Sequence, residues 1–427
     1  MKLVRICLAA AALVWLTVVA TAAQSPVASP PADVVARLAQ RLQAGETTLL
    51  FDGPTGYLRS VLGQLGINED SQMLVFSKTS LDAPYVSPRT PRAIYFNDTA
   101  VVALTAGAPE IEFAAVGPRA GLSFYSLDVR EAAQPRVEQR GDCGGCHQGV
   151  TTPNVLSLVM MSLPTRPDGS TFDTLPFEYV DQRTPFDLRW GGWYVTGTHG
   201  AQRHRGNAFT VDAAAALAGT SPVAPNSQNQ TTIDGRFDRS RYLAGTSDIV
   251  ALMTFEHQAR VTNTMLASIR AARTLAAPLA AGSRPPTNPA SAPAAVLARA
   301  IDELVAAVLS TDAESLREPV QGVSTFARTF PAAGPRDGQG RSLRDFDLTR
   351  RVFRYPVSYM IYSELFDGLP DVVREAVYRR VYDQLTAVAP SPGLARVSAP
   401  DRLAALEIIR ETKPGLPSYW MASGAGR

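Results

Sequence analysis

The run Cys143-Gly144-Gly145-Cys146-His147 restricts this chain more than any other stretch of it. Cys-x-x-Cys-His is the attachment pattern of a c-type haem: two thiols add to the porphyrin vinyl groups, and the adjacent histidine is then placed to take one axial position on the iron. The two glycines suit that task, because a spacer without bulky side chains lets backbone lie close against the macrocycle edge.

Three other chemistries compete for the same residues. A redox disulfide of the thioredoxin kind needs a β-strand feeding directly into the motif, and residues 131–135 (Glu-Ala-Ala-Gln-Pro) do not read as one. A structural zinc site would need His199 and His204 to complete a Cys2His2 set. Those histidines lie far beyond compact finger spacing and leave His147 unexplained. A plain disulfide across two residues closes too small a loop to stabilise much.

The amino terminus bears on compartment. Met1-Lys2-Leu3-Val4-Arg5 carries positive charge, residues 6–20 are apolar, and Ala20-Thr21-Ala22-Ala23 offers small residues for cleavage, so residues 1–23 read as a secretory signal peptide. Cys7 leaves with it. No later stretch reaches the ~18–20 apolar residues that spanning requires, so no transmembrane segment is expected after signal removal. The expected location is periplasmic or secreted, in agreement with the motif, since bacterial haem attachment is extracytoplasmic. A net charge of +2 without blocks of like charge argues against nucleic acid as a partner.

Residues 24–32 form a Pro/Ala/Ser-rich flexible spacer. Residues 33–44 and 57–65 have helical spacing. From 73 to 128 the period shortens: runs at 73–76, 93–96, 101–104, 111–114 and 122–125, separated by turn residues, predict a mostly antiparallel sheet. A further apolar run covers 154–163. Residues 248–277 carry the longest helical pattern, capped by Ser247 or Asp248. Residues 280–293 read as a Pro/Ala-rich linker, and 294–309, 345–366, 371–387 and 401–411 read as helices. The expected fold is α+β: an N-terminal region at 33–135, a haem c-binding region with the long helix at 136–279, and a helical C-terminal region at 294–427.

What stands opposite His147 would decide the chemistry, because a strong second ligand makes an electron carrier and an open position makes a catalyst or gas binder. His257 is the favoured candidate, on a helix face shared with Met253 and Val261. His199, flanked by glycine, is the alternative. His204 stands between Arg203 and Arg205, whose guanidinium groups suit haem propionates. Met160, Met161, Met253 and Met265 are further candidates, though Met160 and Met161 read as core. Trp190 and Trp193 suit either the core or a haem face.

The blocks at 75–80, 87–98, 190–200, 252–258 and 413–420 together resemble a family of exported bacterial proteins with a c-type cytochrome motif, over nearly the whole mature chain. The resemblance implies one haem c at Cys143, Cys146 and His147, and no substrate. Relatives often carry methionine where this chain has Arg205, so a distal methionine at that position is closed to it.

A minimal haem carrier needs only about a hundred residues, so a chain of 427 has a large surplus. The expected role is periplasmic electron transfer with a redox partner protein. The alternatives are a peroxidase-like oxidoreductase, in which His199 or His204 moves protons and Arg203 or Arg205 stabilises negative charge, and a haem-based sensor.

Overall fold

Short apolar runs, buried on both faces, build the N-terminal half. In the computed structural model, which describes residues 33–118, 121–172, 177–212, 214–215, 227–277 and 292–421, β1 (Met73–Val75), β2 (Arg92–Phe96), β3 (Ala100–Thr105), β4 (Glu110–Gly117), β5 (Gly121–Asp128) and β6 (Val137–Arg140) form one antiparallel sheet. Two later strands, β7 (Met161–Ser162) and β8 (Glu178–Tyr179), make a separate ribbon. A third, β9 (Trp193–Tyr194), joins the main sheet beyond β1, completing seven strands in the order β6-β5-β4-β3-β2-β1-β9. The signal, the spacer and most of the 280–293 linker lie outside the described residues.

Successive strand residues point to opposite faces, and here both faces are covered. Leu74, Tyr95, Val102, Phe113 and Leu127 belong to a core shared with the helices α1 (Val34–Gln43) and α2 (Leu58–Leu65). Val75, Ile94, Val101, Ala114 and Phe124 face the other way, toward the core of the long helix. Asp33 caps α1 by accepting from the Val35 and Ala36 amides at 3.0 and 2.9 Å, a bond set worth ~1 kcal/mol. Its second oxygen accepts from the Tyr125 hydroxyl at 2.7 Å, which ties that helix to β5.

Past the one-turn helix α3 (Gly144–His147), the long helix α4 (Ile249–Ala276) organises the remainder. Residues 249–266 of α4 are all buried, polar ones included. A buried polar group must find a partner, and α4 meets that demand by bonding to many loops. Gln258 donates to Asn97 O at 2.7 Å and accepts from the Tyr359 hydroxyl at 3.0 Å. Asp248 caps the helix and also accepts from Val323, Ser324 and the Ser324 hydroxyl. Against α4 pack α5 (Pro293–Val308), α6 (Phe326–Ala332), α7 (Glu364–Asp367) and α8 (Asp371–Thr386); α9 (Pro392–Ala395), α10 (Ala399–Thr412), which packs on α8, and α11 (Ser418–Met421) complete the helical half.

The main sheet and the longer helices follow the sequence reading; the short elements α6, α9, α11 and β8 have no counterpart in it, and two larger differences stand out. Residues 345–366 are not one helix. Asp347 accepts from the Thr349 and Arg350 amides, Leu348 takes a left-handed φ of 54°, and Phe346 bridges Phe353, which together form a tight turn; Pro356 then denies helix geometry to Tyr355. The strand β6, immediately before the motif, was not expected. Its residues Val137-Glu138-Gln139-Arg140 form a polar edge strand, which carries little apolar signal. From residue 32 onward the chain forms one compact unit, and a single core unites residues of all three regions drawn from the sequence. Among the described residues no helix is long and apolar enough to cross a membrane.

Candidate functional site

The motif sits at the end of the sheet edge. From β6 the chain turns through Gly141 and Asp142 into α3, closed by His147 N–H donating to Cys143 O at 3.1 Å and Gln148 N–H to Gly144 O at 2.9 Å. Arg140 holds the entry: Nε and Nη2 donate to the two Asp142 carboxylate oxygens at 3.0 and 2.6 Å, and Nη1 to Glu110 at 2.5 Å. Such a two-point fork fixes orientation as well as distance. A Cβ at Gly145 would meet nothing within 4 Å, so no packing among protein atoms calls for glycine there.

Both motif cysteines are free thiols. Burial, with the carboxylates of Asp142 and Glu112 nearby, pushes the Cys143 thiol up. A redox or nucleophilic cysteine needs the opposite environment. A strand does feed the motif, against the sequence expectation, but it is the edge of an antiparallel sheet and leads into a single helical turn, unlike the strand-to-helix unit of a thioredoxin site.

His147 is oriented by the segment that follows it. Its Nδ1 lies 2.9 Å from Ser157 O. A carbonyl only accepts, so Nδ1 carries the proton and Nε2 keeps a free lone pair. Burial lowers the His147 pKa, opposed by the bond to the Ser157 carbonyl and assisted by the charge of Arg92. It packs on Phe124 at 4.6 Å between centroids. The Ser157 carbonyl is itself held in place, because Asn263 on α4 accepts from Leu158 N–H at 2.8 Å and donates to Leu158 O at 2.9 Å.

These residues open onto a cleft of about 180 Å³. The α4-facing side of the sheet is its floor, with Val75, Ile94, Val101, Ala103, Ala114 and Phe124; Leu158, Met161, Trp193 and Phe255 are wall residues. The Arg92–Glu112 ion pair also lines it. Burial raises the Glu112 pKa, opposed by Arg92. Trp193 reaches the cleft through a tight turn in which Gly192 has a φ of 83° and a Cβ would stand 2.7 Å from Ser77 Cβ. Trp190 does not reach it and donates instead to Glu256 at 2.7 Å in the core.

The other predicted site residues are not brought to this cleft. His257 is two residues from Phe255, which on a helix is about 200° around the axis, so when Phe255 faces the cleft His257 faces away. Its Nδ1 donates to Gln182 Oε1 at 2.6 Å and its Nε2 accepts from the Ser358 hydroxyl at 2.7 Å. With both nitrogens occupied, and bordering a different cavity beside Arg350 and Arg396, His257 does not fit the expected second axial position. His199 and His204 pack edge to face at 4.7 Å between centroids, against Phe186 and Trp190. His199 Nε2 accepts from Asn229 N–H at 3.1 Å and His204 Nδ1 from Gly206 N–H at 3.0 Å. Neither they nor Arg203 and Arg205 line the cleft, which removes His199 as the alternative axial ligand and leaves the expected proton donors away from the motif. The zinc reading would need His199 and His204 beside Cys143 and Cys146, and they do not line the cleft that holds the two cysteines. Missed at the sequence level were Arg92, Phe124, Ser157, Phe255 and Asn263, which become neighbours of the motif only through strand alternation and helix phase.

Compared with known proteins, the chain matches no family model, no curated protein and no solved structure.

Proposed function

We propose that this is an exported c-type cytochrome: one haem bonded to Cys143 and Cys146, with His147 as an axial ligand, exchanging single electrons with a partner protein in the periplasm or outside the cell. The observation that carries the reading is the state of His147. Its Nδ1–H is held by the Ser157 carbonyl, which leaves Nε2 as the unprotonated nitrogen, and the residue lines a cleft together with both motif cysteines. Metal-binding histidines are oriented in this way, by a carbonyl on the other nitrogen.

A bound haem supplies an iron couple that takes up and releases one electron. The chain's own residues do the rest. Cys143 and Cys146 anchor the macrocycle, and the apolar floor and walls exclude water from it. Arg92 Nε is buried without a hydrogen-bond partner; a propionate would satisfy such a donor. The signal-like residues 1–23 support export. Electron transfer is favoured over peroxidase chemistry because His147 is the only histidine lining the cleft among the described residues.

The test is the visible and near-infrared spectrum of protein expressed with a c-type haem maturation system, together with an alkaline-pyridine assay for covalent haem. Covalent haem that does not bind carbon monoxide when reduced supports an electron carrier. Rapid carbon monoxide binding points to an open iron, hence to a catalyst or gas sensor. Absence of covalent haem overturns the reading.

A further inference from the structure

We infer that Met161 supplies the second axial ligand, a thioether sulfur opposite His147; the inference rests on the haem reading above. It begins from the donors that the cleft presents. Apart from the two cysteines and His147, the lining side chains able to bind iron are Glu112, Asp142, Tyr125 and Met161. Asp142 is held by both arms of Arg140, and Glu112 is paired with Arg92. The Tyr125 hydroxyl is bonded to Asp33 on the opposite side of the sheet. The hydroxyls of Ser77, Thr79 and Ser80 are poor ligands for a soft iron centre, for which a thioether is well matched. Met161 remains.

The backbone places it for this role. Met160 and Met161 are adjacent in extended chain and therefore point to opposite sides: Met160 is 2% exposed in the core, while Met161 is half-buried at the cleft. The Met161 strand is fixed on two sides, by pairing with Tyr179 and by Trp193 Nε1–H donating to Met161 O at 2.7 Å. Met161 also follows Ser157 by only four residues, so the segment whose carbonyl orients His147 continues directly to the proposed opposing ligand. A neutral thioether adds no proton to the iron's one-electron change, and methionine ligation raises the potential relative to a second histidine.

The experiment uses the full holoprotein and its Met161→Leu and Met160→Leu variants, both close to volume-conserving. Covalent haem content is measured first. The ferric wild type is expected to show the near-infrared sulfur-to-iron charge-transfer band, and the ferrous form to resist carbon monoxide. Met161→Leu is expected to keep its covalent haem, lose the band, bind carbon monoxide and drop in midpoint potential; Met160→Leu is expected to retain the wild-type spectrum. A Met161→Gln variant, which keeps the side-chain length at this half-buried position, should also lose the band. A band that persists in Met161→Leu, or is absent from haem-loaded wild type, overturns the ligand assignment while leaving haem binding intact. Absence of covalent haem from the wild type overturns both.

Discussion

His147 and His257 are the same residue in opposite settings. Burial lowers the pKa of both rings. In His257 both nitrogens are occupied, one by Gln182 and one by Ser358, and the ring joins α4 to two loops. In His147 one nitrogen is tied to Ser157 and the other is left for the cleft. A helix face shared with Met253 and Val261 made His257 look like a ligand, but a buried histidine whose hydrogen bonds are complete is a structural member. An incomplete set, in an oriented residue that also lines a cleft, marks a candidate site.

The comparison can be broken most decisively at the motif. Replacing Cys143 and Cys146 together by serine should abolish all covalent haem while far-ultraviolet circular dichroism stays near wild type, since neither thiol holds the fold together; haem retained by the double variant would remove the motif from the site.

Acid is the next strongest probe. Burial holds His257 down at about 3, below the ordinary ~6.5, so between those values the unfolded chain binds more protons than the folded one. Stability contributed by neutral His257 is therefore complete above pH ~6.5 and is lost as pH falls toward 3, on the order of 4 to 5 kcal/mol over the window. His147, His199 and His204 are shifted in the same direction by burial. Urea unfolding followed against pH should show this decline, with a shallower slope in His257→Gln.

At fixed neutral pH, His257→Leu leaves the Gln182 carbonyl oxygen and the Ser358 hydroxyl buried without their partner, and should cost about 3 kcal/mol without altering the haem spectrum. A changed spin state in that variant would return His257 to the iron. The smallest effect is expected from Asn263→Ala, which frees the Leu158 backbone: about 2 kcal/mol of stability, and broadened resonances from the His147 ring by NMR if the clamp positions it.

Much of the fold is legible from local patterns. The five apolar runs between 73 and 128 became β1 to β5, and residues 248–277 became α4 within one residue at each end. The failures share a cause. Residues 345–366 have helical apolar spacing, yet Asp347 and Pro356 favour turns that packing against α4 then stabilises. β6 is too polar to be seen, because an edge strand is not required to be apolar on both faces. Phe124 and Arg92 are unremarkable in sequence; as neighbours of the motif they depend on which face of β5 and β2 each occupies.

The sequence by itself determined which residues would form the proposed anchor, because two thiols and an imidazole within one helical turn are a local constraint carried by five consecutive residues. It also determined where the sheet and the long helix lie, since their periodicities are local. Tertiary structure alone decided which of the four histidines faces the cleft, that Met161 looks into it while Met160 does not, and that His257 is fully bonded elsewhere. Those outcomes depend on helix phase and strand register relative to distant segments, and the partners that fix them, Ser358 for His257 and Asn263 for the segment behind His147, are about a hundred residues away along the chain.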